Sequence, residues 1–162
     1  MVSDNTTEMV TALGNTLRRK GWTVSSAESC TGGGVAFAFT SIAGSSDWFN
    51  QSWVTYSNDA KMRELGVKPE TLTAHGAVSM QTVEEMAAGV KHKSGANVVV
   101  TVSGIAGPGG GSKEKPVGTV WFGFICGEKT ETIKQVFAGD RETVRLHAIA
   151  FAITHLLAML AD

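Results

Sequence analysis

Asn97-Val98-Val99-Val100-Thr101-Val102 is a β-branched run without polar alternation, the pattern of a strand covered on both faces. Such a strand needs helices above and below it, and its flanks supply them. Upstream, Val83, Met86, Ala87 and Val90 fall at helical spacing and predict a helix over residues 79–94. Downstream comes a glycine-rich loop over residues 104–111, then a strand over 117–126, the tight turn Gly127-Glu128-Lys129 and a strand over 130–137. So short a turn makes the last two strands an antiparallel hairpin. Val144, Ala148, Ala152, Leu156 and Leu160 then line one face of a helix over residues 141–160.

The first half of the chain alternates in the same way. Met9, Val10, Leu13 and Leu17 mark a helix over residues 6–20, stopped by Gly21. A short strand over residues 22–27 leads to a helix over 31–42, entered through Gly32, Gly33 and Gly34. A second strand over residues 52–56 is followed by Ser57-Asn58-Asp59, capping residues for a helix that ends near Gly66 and carries Lys61 in its first turn. Helices alternating with strands, plus one hairpin, predict an α/β fold. The expected form is a single domain over residues 1–162, a three-layer α/β/α sandwich with a mixed, about five-stranded sheet.

Bulk composition narrows the function. Fourteen Lys and Arg against fifteen Asp and Glu leave no strong global field, so neither nucleic acid nor an anionic membrane is an expected partner. A small, locally recognised ligand is. Cys30 and Cys126 lie in unrelated segments and suggest reduced thiols in a cytoplasmic protein rather than a disulfide framework. The polar N-terminus lacks the pattern of an export signal. The apolar stretch over residues 148–160, interrupted by Thr154 and His155, is too short to span a bilayer and reads as a buried helix. His75, His92, His147 and His155 show no metal-ligand spacing with one another or with the cysteines, and neither metal nor other cofactor is expected.

The chemistry centres on Ala27-Glu28-Ser29-Cys30-Thr31-Gly32-Gly33. A serine where a strand turns into a glycine-opened helix can pair an exposed hydroxyl with converging N–H groups. It can equally be a helix cap. Tyr56, the only tyrosine, and Lys61 sit at a second strand exit, and parallel strands open on the same sheet edge. A lysine opposing a helix dipole has a reason to lose its proton, as a general base must, although a solvated surface lysine fits the same position. Cys30 is the rival nucleophile, since a thiol at a helix N-terminus is more acidic than usual. The loop from Ser103 and Gly104 to Ser112 offers many unhindered amides, for phosphate or ribose or as a plain connection, and it matches neither a Walker loop nor a dinucleotide fingerprint. No familiar serine-hydrolase motif is present.

Several segments, in order, resemble the CinA C-terminal domain family: Ala-Glu-Ser-Cys-Thr-Gly-Gly at 27–33, Gly-Ser-Ser at 44–46, Val-Thr-Tyr-Ser-Asn with Ala-Lys at 54–61, Gly-Ala-Val-Ser at 76–79, Ser-Gly-Ile-Ala-Gly-Pro at 103–108 and Lys-Pro-Val-Gly-Thr-Val at 115–120. The resemblance is to the family's stand-alone form, without the N-terminal domain of longer members. It implies a nicotinamide-nucleotide amidohydrolase that converts nicotinamide mononucleotide and water to nicotinate mononucleotide and ammonia. It also implies a catalytic set of Ser29, Tyr56 and Lys61. Thr31, Gly32 and Gly33 are then expected to hold an oxyanion, and Ser46, Ser103, Gly104 and Arg141 to contact the ribose phosphate. A homo-oligomer is compatible with such a small enzyme. The competing expectations are a serine amidase for another small amide and a non-catalytic nucleotide-binding or competence-related module.

Overall fold

The computed structural model describes residues 3–161. The elements are α1 (Asp4–Lys20), β1 (Val24–Glu28), α2 (Gly34–Phe39), a 3-10 turn (Ser45–Asp47), β2 (Phe49–Val54), α3 (Asn58–Leu65), α4 (Pro69–His75), α5 (Met80–Ser94), β3 (Val98–Gly104), β4 (Thr119–Cys126), β5 (Lys129–Val136) and α6 (Arg141–Leu160). They form a three-layer sandwich around a five-stranded sheet of order β2-β1-β3-β4-β5. β1 pairs parallel with both β2 and β3, whereas β4 and β5 run antiparallel. The β4–β5 hairpin and the mixed sheet are as the sequence predicts.

β3 divides the core by simple alternation. Val98, Val100 and Val102 face the layer of α1, α2 and α6, together with Val24, Phe122 and Phe124. Val99 faces the other layer with Ala27, Leu65, Val83, Met86 and Val90. Each valine is fully buried, so β3 has no solvent face on which polar residues could alternate. α6 is long and apolar enough to cross a membrane by length and composition. Its Val144, Ala148, Ala152, Ile153 and Leu156 are nevertheless fully buried in the first of these two cores.

Three expected elements near the site are bounded differently, and one helix is additional. β1 starts at Val24 and includes Glu28, because its ladder to β3 runs to the Glu28–Val102 pair. α2 covers only Gly34–Phe39, since Gly32 and Gly33 adopt left-handed φ values of 58° and 100° that no α-helix accommodates. β2 lies earlier than residues 52–56 because the parallel register sets Phe49 beside Val24. α4 is an additional helix, opened by Pro69 in the first turn, where a missing N–H costs nothing.

Two features position the site. The connection from β3 to β4 is pinched at its neck, where Ile105 N donates to Thr119 O at 2.9 Å and Gly118 N to Ile105 O at 2.8 Å. On the α3–α5 side, Gly89 lets α5 approach α3 so closely that a Cβ there would stand 2.1 Å from Leu65 O. Gly89→Ala must push the helices apart and should lower stability by about 1–3 kcal/mol. Urea unfolding of this variant should show a lower midpoint with an unchanged slope; an unaltered midpoint would contradict the close approach.

Candidate active site

β1 and β2 deliver their C-terminal ends to the same edge. Ser29 N donates to Val102 O and Thr55 N to Glu28 O, both at 2.9 Å, which ties the two exits to the sheet one step beyond its regular ladder. Alternation along β1 sends Glu28 toward α2, and Ser29, on the opposite face, toward α3.

α3 supplies the partner. Ser57 caps it, accepting from Ala60 N at 3.0 Å. Side chains lean toward the N-terminus of their helix, so Lys61 reaches back over the first turn to the carbonyls where β2 ends. Its amine lies 3.1 Å from Ser29 Oγ and donates to Thr55 O at 2.9 Å and Tyr56 O at 3.3 Å. Ser29 Oγ also stands 3.3 Å from Tyr56 O. Lys61 is only 1% exposed. No carboxylate pairs with it among the described residues, and burial lowers its pKa to about 8. The solvated-lysine alternative therefore does not hold.

Cys30 points the other way. Its thiol is buried in the core with α1, α2 and α6, and burial raises its pKa to about 11. That removes the thiolate a cysteine nucleophile needs.

Tyr56 enters the centre through its backbone rather than its phenol. The residue is 59% exposed, and its hydroxyl accepts from Arg141 Nη2 at 3.1 Å. Arg141 Nη1 donates to Gly107 O at 2.7 Å. The two contacts join β2's exit to the glycine-rich loop. A proton relay through the Tyr56 hydroxyl to Lys61 is thus not what the geometry provides.

Ser29, Tyr56, Lys61, Ser103, Gly104 and Arg141 line one cavity of about 290 Å³. Asn58, Ala77 and Val78, which the sequence did not single out for the site, complete its wall with Ile105, Ala106, Gly107, Gly109 and Gly110 of the loop expected to receive phosphate or ribose. Among the described residues, the amides of Ala106, Gly107, Gly109 and Gly110 donate to no backbone acceptor. The Cys30 amide beside Ser29 is likewise free of one. Gly104 has no room for a Cβ, which would meet Val120 Cγ2 at 2.7 Å and Thr119 O at 2.9 Å.

The other expected residues lie elsewhere. Thr31, Gly32 and Gly33 border a neighbouring depression with Glu142 and Arg145. Thr31 Oγ1 turns inward and donates to Glu28 at 2.5 Å. Ser46 precedes β2, so it sits at the opposite end of that strand, roughly 20 Å of extended chain from the cavity. The nearby Arg18 ties that end to α1, donating to Gly44 O at 2.9 Å and Asp47 at 3.1 Å.

Glu28 is the residue the sequence reading passed over. It is fully buried, and its carboxylate accepts from Val35 N at 2.8 Å and Ala36 N at 3.0 Å as well as from Thr31. The start of α2, which could have received a ligand anion, is filled by the protein's own. A glutamate between Ala27 and Ser29 in an otherwise small-residue strand was the available signal, because fully buried glutamates are nearly always partnered.

Known proteins resemble this chain in both sequence and fold. The CinA C-terminal domain model matches residues 6–160. A nicotinamide-nucleotide amidohydrolase PncC from Enterobacter agglomerans is 58% identical over 147 residues, 90% of each chain. The protein of the same name from Escherichia coli K12 is 52% identical over 145 residues, 89% of this chain and 88% of its own. The crystal structure of the competence/damage inducible protein CihA from Agrobacterium tumefaciens superposes with a TM-score of 0.93 at 41% identity, covering 99% of both chains. With sequence and architecture matching almost end to end, the chain belongs to the CinA C-terminal domain family.

Proposed function

We propose that this chain is a nicotinamide-nucleotide amidohydrolase that opens the carboxamide of nicotinamide mononucleotide with Ser29 as nucleophile and Lys61 as base. The observation that carries the mechanism is the buried Lys61 amine 3.1 Å from Ser29 Oγ. The substrate follows from the amidohydrolase relatives at 58% and 52% identity.

A neutral amine has two hydrogens and one lone pair. The Thr55 and Tyr56 carbonyls take the hydrogens, which leaves the lone pair for the Ser29 hydroxyl. Lys61 accepts that proton as Ser29 Oγ bonds to the carboxamide carbon, and the Cys30 amide faces the developing oxyanion. Collapse of the tetrahedral adduct breaks the C–N bond, and the Lys61 ammonium protonates the leaving nitrogen, releasing ammonia. A water molecule, deprotonated by the same amine, then hydrolyses the nicotinyl ester and restores Ser29.

The rest of the cavity suits the remainder of a nucleotide. The free amides of residues 106, 107, 109 and 110, with Arg141, form a cradle for the ribose phosphate. The Tyr56 ring at the mouth offers a π face to the positively charged pyridinium. Ser103 and Gly104 line the floor between the two ends. Free, buried Cys30 and Cys126 fit a reducing, cytoplasmic setting.

Ser29→Ala should cut ammonia release from nicotinamide mononucleotide by roughly 10³-fold or more, with circular dichroism unchanged. Cys30→Ser should stay within about tenfold of the parent rate. The reverse ranking would move the nucleophile to Cys30.

Because Lys61 must be neutral to act, kcat/KM should climb about tenfold per pH unit on the acid side and level off above about pH 8. A flat profile between pH 6 and 9, in a range chosen to bracket that value, would remove Lys61 from the role of base.

Tyr56→Phe separates the phenol from the backbone carbonyl. It should raise KM while leaving kcat within about tenfold, since only the contact to Arg141 is lost. A collapse of kcat comparable to that of Lys61→Ala would reinstate the phenol as part of the proton path.

A further inference from the structure

The turn that carries Ser29 is held between two opposite charges on the side away from the cavity. Glu28 closes it from within, through Val35 N, Ala36 N and Thr31 Oγ1. Arg145, on α6, closes it from behind. Its Nε donates to Cys30 O at 3.1 Å and its Nη2 approaches Thr31 O at 3.5 Å. Glycine at position 32 permits this approach, since a Cβ there would lie 3.2 Å from Arg145 Nη2.

Resting on the serine mechanism above, we infer that Arg145 is a positioning residue that holds the Ser29 turn in its oxyanion-binding conformation. Two effects follow from its contacts. Bound to the guanidinium, the Cys30 carbonyl is held toward α6, so its negative end cannot swing to the position of the oxyanion. The contacts also form a connected chain. Arg145 touches Thr31 O; the amide of that same peptide, Gly32 N, donates to Ser29 O at 3.0 Å; and the far side of that acceptor's peptide is the Cys30 amide. Polarisation passed along such a chain makes the last N–H a stronger donor.

Charge balance points the same way. A fully buried carboxylate directly precedes the nucleophile and opposes any negative charge that develops beside it. The Arg145 guanidinium is the cation bonded to that turn. Its field already reaches Cys30, where it works against the rise of the thiol pKa that burial and Glu28 produce.

Arg145→Gln tests the assignment in steady-state assays of ammonia release, run beside Ser29→Ala and Arg145→Lys. Arg145→Gln should lower kcat by roughly 10- to 100-fold with KM within about threefold, a smaller loss than removal of an oxyanion donor itself. The acid limb of its pH profile should remain where Lys61 sets it, because the base is untouched. Arg145→Lys, which keeps the charge and one donor for Cys30 O, should recover at least half of the loss on a logarithmic scale. An unchanged kcat for Arg145→Gln while Ser29→Ala is inactive overturns the inference and leaves the serine mechanism standing. So does a loss confined to KM, which would make Arg145 a substrate ligand, or failure of both Arg145 variants to fold, which would make it a structural strut. An active Ser29→Ala overturns the mechanism itself.

Discussion

The site depends on a buried lysine amine that pairs with no carboxylate among the described residues. A charged amine there would lose most of its hydration, so the fold favours the uncharged form. Neutrality then dictates the surroundings: carbonyl acceptors for the N–H bonds and a hydroxyl for the lone pair. The exit of β2 supplies the carbonyls, the exit of β1 supplies the hydroxyl, and α3 starts where its backward-leaning lysine spans both. Parallel pairing of β1 with β2 is therefore a chemical requirement as much as a topological one. Two antiparallel neighbours would place these exits at opposite sheet edges.

Charge is handled differently on the two faces of the sheet. On the α3–α5 face Lys61 has no ionic partner among the described residues, and burial makes it lose its proton more easily. On the α2–α6 face, Glu28 is held by three donors at the start of α2, and Arg145 lies across the same turn. One face thus stores reactivity and the other rigidity, separated by the thickness of a single strand. The alternation of Glu28 and Ser29 along β1 is enough to bring this about.

The sandwich, the hairpin and the central position of β3 were legible because each rests on periodicity, which a sequence displays directly. So was the meeting of Ser29 with Lys61, once both were placed at parallel strand exits. What escaped were relations made by backbone geometry. Nothing in the letters says that Gly32 and Gly33 turn left-handed and delay α2, or that Tyr56 contributes a carbonyl while its phenol bonds Arg141. Ser46 lies in a family-like motif of its own, Gly-Ser-Ser at 44–46, but precedes its strand instead of following it, and a motif carries no direction along the sheet. Arg145 lies more than a hundred residues from the turn it grips, on a helix whose pattern reports only its buried face.

The pinched neck between β3 and β4 has a consequence for how this architecture can diversify. Ile105, Gly118 and Thr119 close the loop at its base, so the segment beyond them is an independent appendage whose two ends are fixed by the sheet. Lengthening or rewriting an appendage of this kind costs little closure entropy and leaves strand register untouched. In the proposed reaction, the bond-breaking end of the cavity is built on β1, β2 and α3, and the end that recognises the rest of the molecule is built on this loop. Evolution can therefore exchange the handle by which a substrate is gripped while inheriting the cutting edge unchanged.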